Sequence, residues 1–285
     1  MNILNWTLSG GVFHFTMLGY VIWTLVVTHI TIVTVTLYLH RTVSHKALIL
    51  NPWVEYFFRF WSWLTTGMNR REFGAIHRKH HAKVDTLEDP HSPIFYGLTS
   101  IKHFFVWVFY LGVKKYVDES HKKATLDKYG LGIEIDKLEK NLFAKHPFLG
   151  VGVLLGLINF FLLGLPGLLV WGVQALWIPV FATGIINGVG HQFGYTNYDK
   201  DDPKYPNVKY STNISPIGIL IGGEELHNNH HADAGSPFFA RRWWEFDIGS
   251  VYIRLLCLFR LAKLRIPLVP TTTFQKNYYQ IFGLS

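Results

Sequence analysis

From Gly11 to Leu39 the chain runs for 29 residues without a formally charged side chain, and a helix needs only about 20 apolar residues to cross the hydrocarbon of a bilayer. At about 1.5 Å per residue such a helix reaches roughly 43 Å, so its end can project beyond the lipid and carry His40 to the water side. The run lacks the basic flank and small-residue cleavage site of a removable signal, which predicts an anchor. A second uncharged run, Phe148 to Asn187, is 40 residues long and is interrupted by Gly164-Leu165-Pro166-Gly167, where glycines and a proline break a helix. It reads as two spans joined at that break.

The composition agrees. Charged residues are 16% of the chain against 49% hydrophobic and 16% aromatic, whereas an ordinary soluble domain is about 25% charged. The expectation is an all-α integral membrane protein, one domain over 1–285, with about three spanning helices (12–39, 148–164 and 168–187) and residues 1–10 outside. All 27 Lys and Arg occur from Arg41 onward, so the positive-inside rule puts 40–147 and 188–285 on the cytoplasmic side as interfacial helices and a helical cap. There is no glycine-rich phosphate loop, no serine or cysteine triad and no nucleotide fingerprint. The positive charge accompanies spans, so it gives no support to nucleic-acid binding. The single cysteine, Cys257, excludes disulfides and cysteine-rich metal sites and reads as a buried inert thiol.

Between the spans, Pro52 to Thr66 reads as an interfacial or re-entrant helix, with Glu55 and Arg59 facing water and Trp53, Phe57, Phe60, Trp61 and Trp63 at headgroup depth. Lys102 to Leu111 is too short to span and reads as interfacial. Lys114 to Lys145 is basic, a solvated segment attracted to anionic lipid or, as the second reading, a surface for an acidic electron-transfer protein or an acyl carrier's phosphates. Asp199 to Asn213 is a charged loop, Arg241 to Asp247 suits a membrane surface, and Ser250 to Leu264 reads as an amphipathic surface helix.

Nine of the fifteen histidines fall in four short clusters: His40 and His45; His77, His80 and His81; His191, one turn after Asn187; and His227, His230 and His231. The H-x-x-H-H spacing of two clusters stacks imidazoles on one helix face, each able to present nitrogens to one point in space. Histidine is the commonest metal ligand. A zinc ion takes about four ligands, so nine imidazoles divide more naturally between two ions than on one. His40 and His45 lie about 140° apart on an ideal helix, which predicts a turn or helix end between them. Asp85 and Asp89 are candidates to accept imidazole N–H bonds, and His91 is unassigned. His14, His29, His103 and His146, each alone, read as satisfied core residues.

These boxes, H-x-x-x-x-H and two H-x-x-H-H in order with N-x-x-x-H between the last two, resemble those of the membrane fatty-acid desaturases, the group that includes stearoyl-CoA desaturase and bacterial acyl-lipid desaturases. H-R-K-H-H followed by D-T-x-x-D-P-H, and H-N-N-H-H-A followed by W-W-E-F-D, support the resemblance, which extends from Thr36 to about Asp247. It implies two iron ions held by His40, His45, His77, His80, His81, His191, His227, His230 and His231, with Asn187 touching one metal through water. It further implies an O2-dependent removal of two hydrogens from an acyl chain, of CoA or of lipid, and a hydrophobic tunnel among the spans. Redox-inert zinc would not serve. No heme-binding donor domain is recognisable, because His146-Pro147 lacks the glycines of that motif, so a separate ferredoxin or b-type cytochrome with its reductase must supply electrons. Tyr38 stands where the family commonly has glycine, a change able to close or reshape the tunnel. The competing readings are a histidine-box hydroxylase or other lipid-modifying oxygenase and, from another class, a metal transporter. A transporter calls for ionisable residues along the spans, which are nearly free of them.

Overall fold

The computed structural model describes residues 3–8, 10–94, 97 and 100–265. A short helix α1 (Ile3–Leu8) precedes the long helix α2 (Met17–Ser44). Thr16 starts α2 by accepting the Gly19 N–H on its side chain, one of the orphan donors of a helix N-terminus. The predicted turn between His40 and His45 does not occur. Instead α2 widens into a π-helix over Val35–Ser44, with i→i+5 bonding carried through the His45 N–H to the His40 carbonyl. The Thr42 and Ser44 hydroxyls also reach back five residues, to Leu37 and Leu39. A π-turn brings residues five apart onto one face, so the wide spacing is met by changing the helix and not by ending it.

After strand β1 (Leu48–Leu50), helix α3 (Pro52–Thr66) opens with Asn51 as its cap and Pro52 in the first turn, where proline's missing N–H costs nothing. Helix α4 (Arg70–Ala82) is capped by Asn69, whose side chain accepts from Arg71 and Glu72. Helix α5 (Ile101–Val106) runs on through Trp107–Leu111 and Gly112–Ser120, followed by α6 (Lys123–Tyr129). Trp107 and Val108 are buried against the later long apolar helix near Val180 and Gly184, so this stretch lies along that helix.

Helices α7 (Leu149–Leu163) and α8 (Pro166–Val189) form an antiparallel hairpin. Gly164 turns it at φ +67°, and a Cβ there would stand 2.4 Å from the Thr7 carbonyl, so only glycine fits. The N-terminal segment packs on this turn, with Val12 and Phe13 N–H both donating to the Leu162 carbonyl. Asn159 on α7 donates to Gln174 on α8 at 2.9 Å, a buried polar clasp between apolar helices. Among the described residues two helices, α2 and α8, are long and apolar enough to cross a membrane; α7 is apolar but shorter.

The remainder is loop-rich: strand β2 (Ile217–Gly218), helix α9 (His227–Ala232), strand β3 (Phe246–Asp247), helix α10 (Ile248–Leu258) and strand β4 (Ala262–Leu264). β1 pairs antiparallel with β4 and β2 parallel with β3, so the chain is mostly helical and not all-α. The predicted surface helix over Ser250–Leu264 therefore ends early, its last residues completing the β1 pair. The part of the cytoplasmic assignment covering 266–285 lies outside the described residues.

Arg59, expected in water, is buried and bonds Asp136 at 2.7 and 2.8 Å and Glu139 at 3.3 Å. Trp63 is likewise buried, against Phe143. The acids that rescue Arg59 lie some eighty residues downstream, which a local pattern cannot show. Arg41 is wholly enclosed, donating to Asp247 at 3.0 Å and lying 3.8 Å over the Phe239 ring. It ties the end of α2 to the segment after the last histidine cluster.

Candidate metal centre

All nine clustered histidines converge. They form two groups, His40, His45, His77, His81 and His230 in one and His80, His191, His227 and His231 in the other, with the potential ligand atoms of each group within 4.8 Å of one another. The two H-x-x-H-H triplets do not each point at a single spot, as their spacing had predicted. At about 100° per residue, positions i and i+4 differ by roughly 40°, whereas i+3 and i+4 diverge by roughly 100°. Accordingly His77 and His81 serve the first group while His80 serves the second, and His227 and His231 serve the second while His230 serves the first. Helices α4 and α9 thus each contribute to both groups.

The rings face one another through their Nε2 atoms. In the five-histidine group His45 lies 2.8 Å from His77, His230 2.9 Å from His81 and His40 3.0 Å from His230. In the four-histidine group His191 is 3.0 Å from His227, and His231 is 3.1 Å from both His80 and His227. The outer nitrogens of four rings are anchored. His40 Nδ1 meets Glu224 at 2.7 Å, His80 Nδ1 meets Asp89 at 2.8 Å, His191 Nδ1 meets Asp85 at 3.0 Å, and His231 Nδ1 donates to the Asn207 carbonyl at 3.0 Å. Glu224 is the anchor the sequence reading missed; its only local signal was its position three residues before His227.

These anchors test the fit to a metal. With Nδ1–H committed to Asp89 and to the Asn207 carbonyl, His80 and His231 turn their Nε2 atoms toward each other at 3.1 Å. Two lone pairs at that distance repel, and a cation between them turns the repulsion into coordination. Nitrogens about 2.1 Å from an ion and at right angles to each other would be about 3.0 Å apart, the spacing found here. The donor set fits.

Burial, followed by the neighbouring imidazoles, holds His45, His77, His81, His227, His230 and His231 well below the ordinary histidine range. They are neutral at pH 7 and have lone pairs to offer. Burial alone would raise Asp89, but His80 and the backbone N–H of His91 hold it far below the usual carboxylate range. Asp85 follows the same pattern through His191 and Ser92. His91 is pushed down to about 3, chiefly by burial and then by His80, and stacks on Tyr116 at 6.0 Å; it belongs to neither group.

A model of the fatty acid desaturase family matches residues 15–254. The chain belongs to the fatty acid desaturase family. It is 34% identical to the sn-1 stearoyl-lipid 9-desaturase of Synechocystis sp. over 239 residues, 84% of this chain and 68% of that protein. It is 32% identical to the protein of the same description from Anabaena variabilis, over 80% of this chain and 76% of the other. An acyl-CoA 5-desaturase of Anemone leveillei is 30% identical, over 80% and 65% respectively. This desaturase is therefore an oxidoreductase with histidine clusters able to bind metal and apolar helices suited to membrane association.

Within the desaturase the other assignments are less uniform. Asn187 is half-buried on the π-helical end of α8, four residues before His191. His14, His103 and His146 are exposed, and His29 is half-buried with its Nε2 2.6 Å from the Tyr252 hydroxyl, so none is a core histidine. Cys257 is half-buried, not sealed. Tyr38 is enclosed beside a small cavity of mixed lining, with Leu39, Trp63, Met68 and Phe143 as well as Arg59, Ser62, Arg70 and Glu139. The ion group of Arg59, Arg70 and Glu139 within it is unsuited to an acyl chain, so this cavity is not the apolar tunnel expected.

Proposed function

We propose that the chain is an O2-dependent fatty acyl desaturase in which the two histidine groups hold two iron ions, with Asn187 at the edge of the four-histidine group. The observation that carries the reading is the pairing of two adjacent imidazole groups whose Nε2 atoms face one another and four of whose rings are held at the outer nitrogen by Glu224, Asp89, Asp85 and a backbone carbonyl. Removing hydrogens from an unactivated acyl chain lies outside the acid–base capability of side chains, and bound iron with O2 supplies the redox chemistry they lack.

The chain's own residues do the rest. Asp85, Asp89 and Glu224 fix the orientation and tautomer of His191, His80 and His40, keeping each Nε2 free to bind. Arg41, Asp247 and Phe239 hold the end of α2 against α9, keeping the two groups in register. Burial of the imidazoles excludes bulk water from the reacting region. The substrate in this reading is a membrane acyl chain, on lipid or CoA, entering from among the spans, and a separate one-electron carrier delivers two electrons per turnover.

The topology that accompanies this is three spans, α2, α7 and α8, with α7 and α8 returning the chain to the side it left. The charge asymmetry then puts the histidine centre on the cytoplasmic side. Lipid analysis of cells expressing the chain tests the activity. A double bond absent from cells expressing His230→Ala supports it, and identical lipid profiles contradict it.

A further inference from the structure

Ile214 to Gly223 is a ten-residue run without a charge, too short to span. It folds as a finger. Ile217, Ile219 and Leu220 are exposed, Leu220 at 61%, and Phe246, Trp243 and Trp244 are exposed beside them, Ile217 pairing with Phe246 through β2 and β3. The base of the finger lies against α2: a Cβ on Gly222 would touch the side chains of Thr36 and Ile32, and the Gly222 carbonyl accepts from Thr36 Oγ1 and Arg41 Nη2. Ile32 belongs to the long apolar helix, so the finger reaches the depth of a candidate span.

Non-helical backbone survives at that depth only where its polar groups are satisfied within the protein. The base of the finger meets this condition. The buried Glu225 carboxylate accepts from the Ile221 and Gly223 N–H groups at 3.0 and 3.2 Å, the Ile214 N–H donates to the Glu225 carbonyl, and the Pro216 carbonyl accepts from Phe246. An exposed apolar tip on a base whose backbone is bonded within the protein, flanked by tryptophans and by Arg242, has the make-up of a segment seated in lipid. We propose that Ile217–Leu220 inserts among the acyl chains of the leaflet that receives the end of α2, making a membrane contact separate from the spans. Glu224, the anchor of His40, follows at its base, so the contact seats the segment that orients the first histidine. The inference rests on α2 spanning the bilayer.

The test places one environment-sensitive fluorophore at a time on the full-length Cys257→Ser chain in lipid nanodiscs, at Leu220→Cys, at Ile219→Cys as a second finger position, at Leu25→Cys on the exposed face of α2, and at Lys200→Cys on the outer loop. Aqueous iodide and lipids brominated on the acyl chain are the quenchers. The finger probes are expected to lose iodide quenching and gain quenching by brominated lipid, as Leu25 does, while Lys200 shows the reverse. Iodide quenching at both finger positions equal to that at Lys200, with Leu25 still shielded, overturns the finger and leaves the span intact. Iodide quenching at Leu25 as well overturns the spanning reading on which both rest.

Discussion

Asp89 shows how much one carboxylate organises. It is wholly buried and accepts from His80 Nδ1 and from the N–H groups of Asp85, His91 and Ser92, so it fixes both a ring and the loop that bears it. Asp89→Ala should lower metal affinity by roughly 10–100-fold, the usual cost of losing such a partner, read by competition with a chelator. A smaller effect than in Ser92→Ala would contradict the role. Asp136 bears on stability instead. Its bond from Arg59 holds its carboxyl at about 2, below the unfolded value of about 3.9. The sign follows: the stabilisation is complete above about pH 4 and is lost as the pH falls toward 2. Thermal unfolding of Asp136→Asn should match the parent more closely at pH 2 than at pH 6; an equal difference at both would contradict the pairing. Asp89 was legible in the sequence because it follows a histidine box, and Asp136 was not, because its partners come from α3 and α4.

At the scale of elements, the boxes were legible and their division was not. Spacing in H-x-x-H-H reports a shared helix face, but the roughly 100° between i+3 and i+4 decides which group each ring joins, and that requires knowing where the partner helix lies. The π-helical end of α2 escaped for a related reason: a five-residue spacing is compatible with a helix end or a wider helix, and the packing of Arg41 and the finger selects the second. A prediction follows for α4. His80→Ala and His81→Ala, adjacent in sequence, should each leave about one ion per chain, but the retained ions should differ in their spectra after cobalt substitution, one bound in the five-histidine group and the other in the four-histidine group. Identical spectra would mean that one ion uses the whole triplet.

For the molecule as a whole, the apolar runs located α2 and α8, and the Gly164–Pro166 break located the hairpin, because length and helix breakers are properties of the chain itself. The finger at Ile214–Gly223 went unread because ten uncharged residues neither span nor form a helix; only their packing on Ile32 and Thr36 gives them a place. The lone histidines misled because composition says nothing of which surface a side chain meets. What unites the scales is a pair of imidazole groups assembled from four distant segments on a helical frame, with four of the nine rings held from outside by Glu224, Asp89, Asp85 and the Asn207 carbonyl. The most direct test is the iron content of the purified full-length chain after anaerobic loading with Fe(II). The account predicts two irons per chain, with iron lost from both groups when His230 and His231 are replaced together by alanine. One iron or none in the parent chain, or two in the double variant, would contradict it.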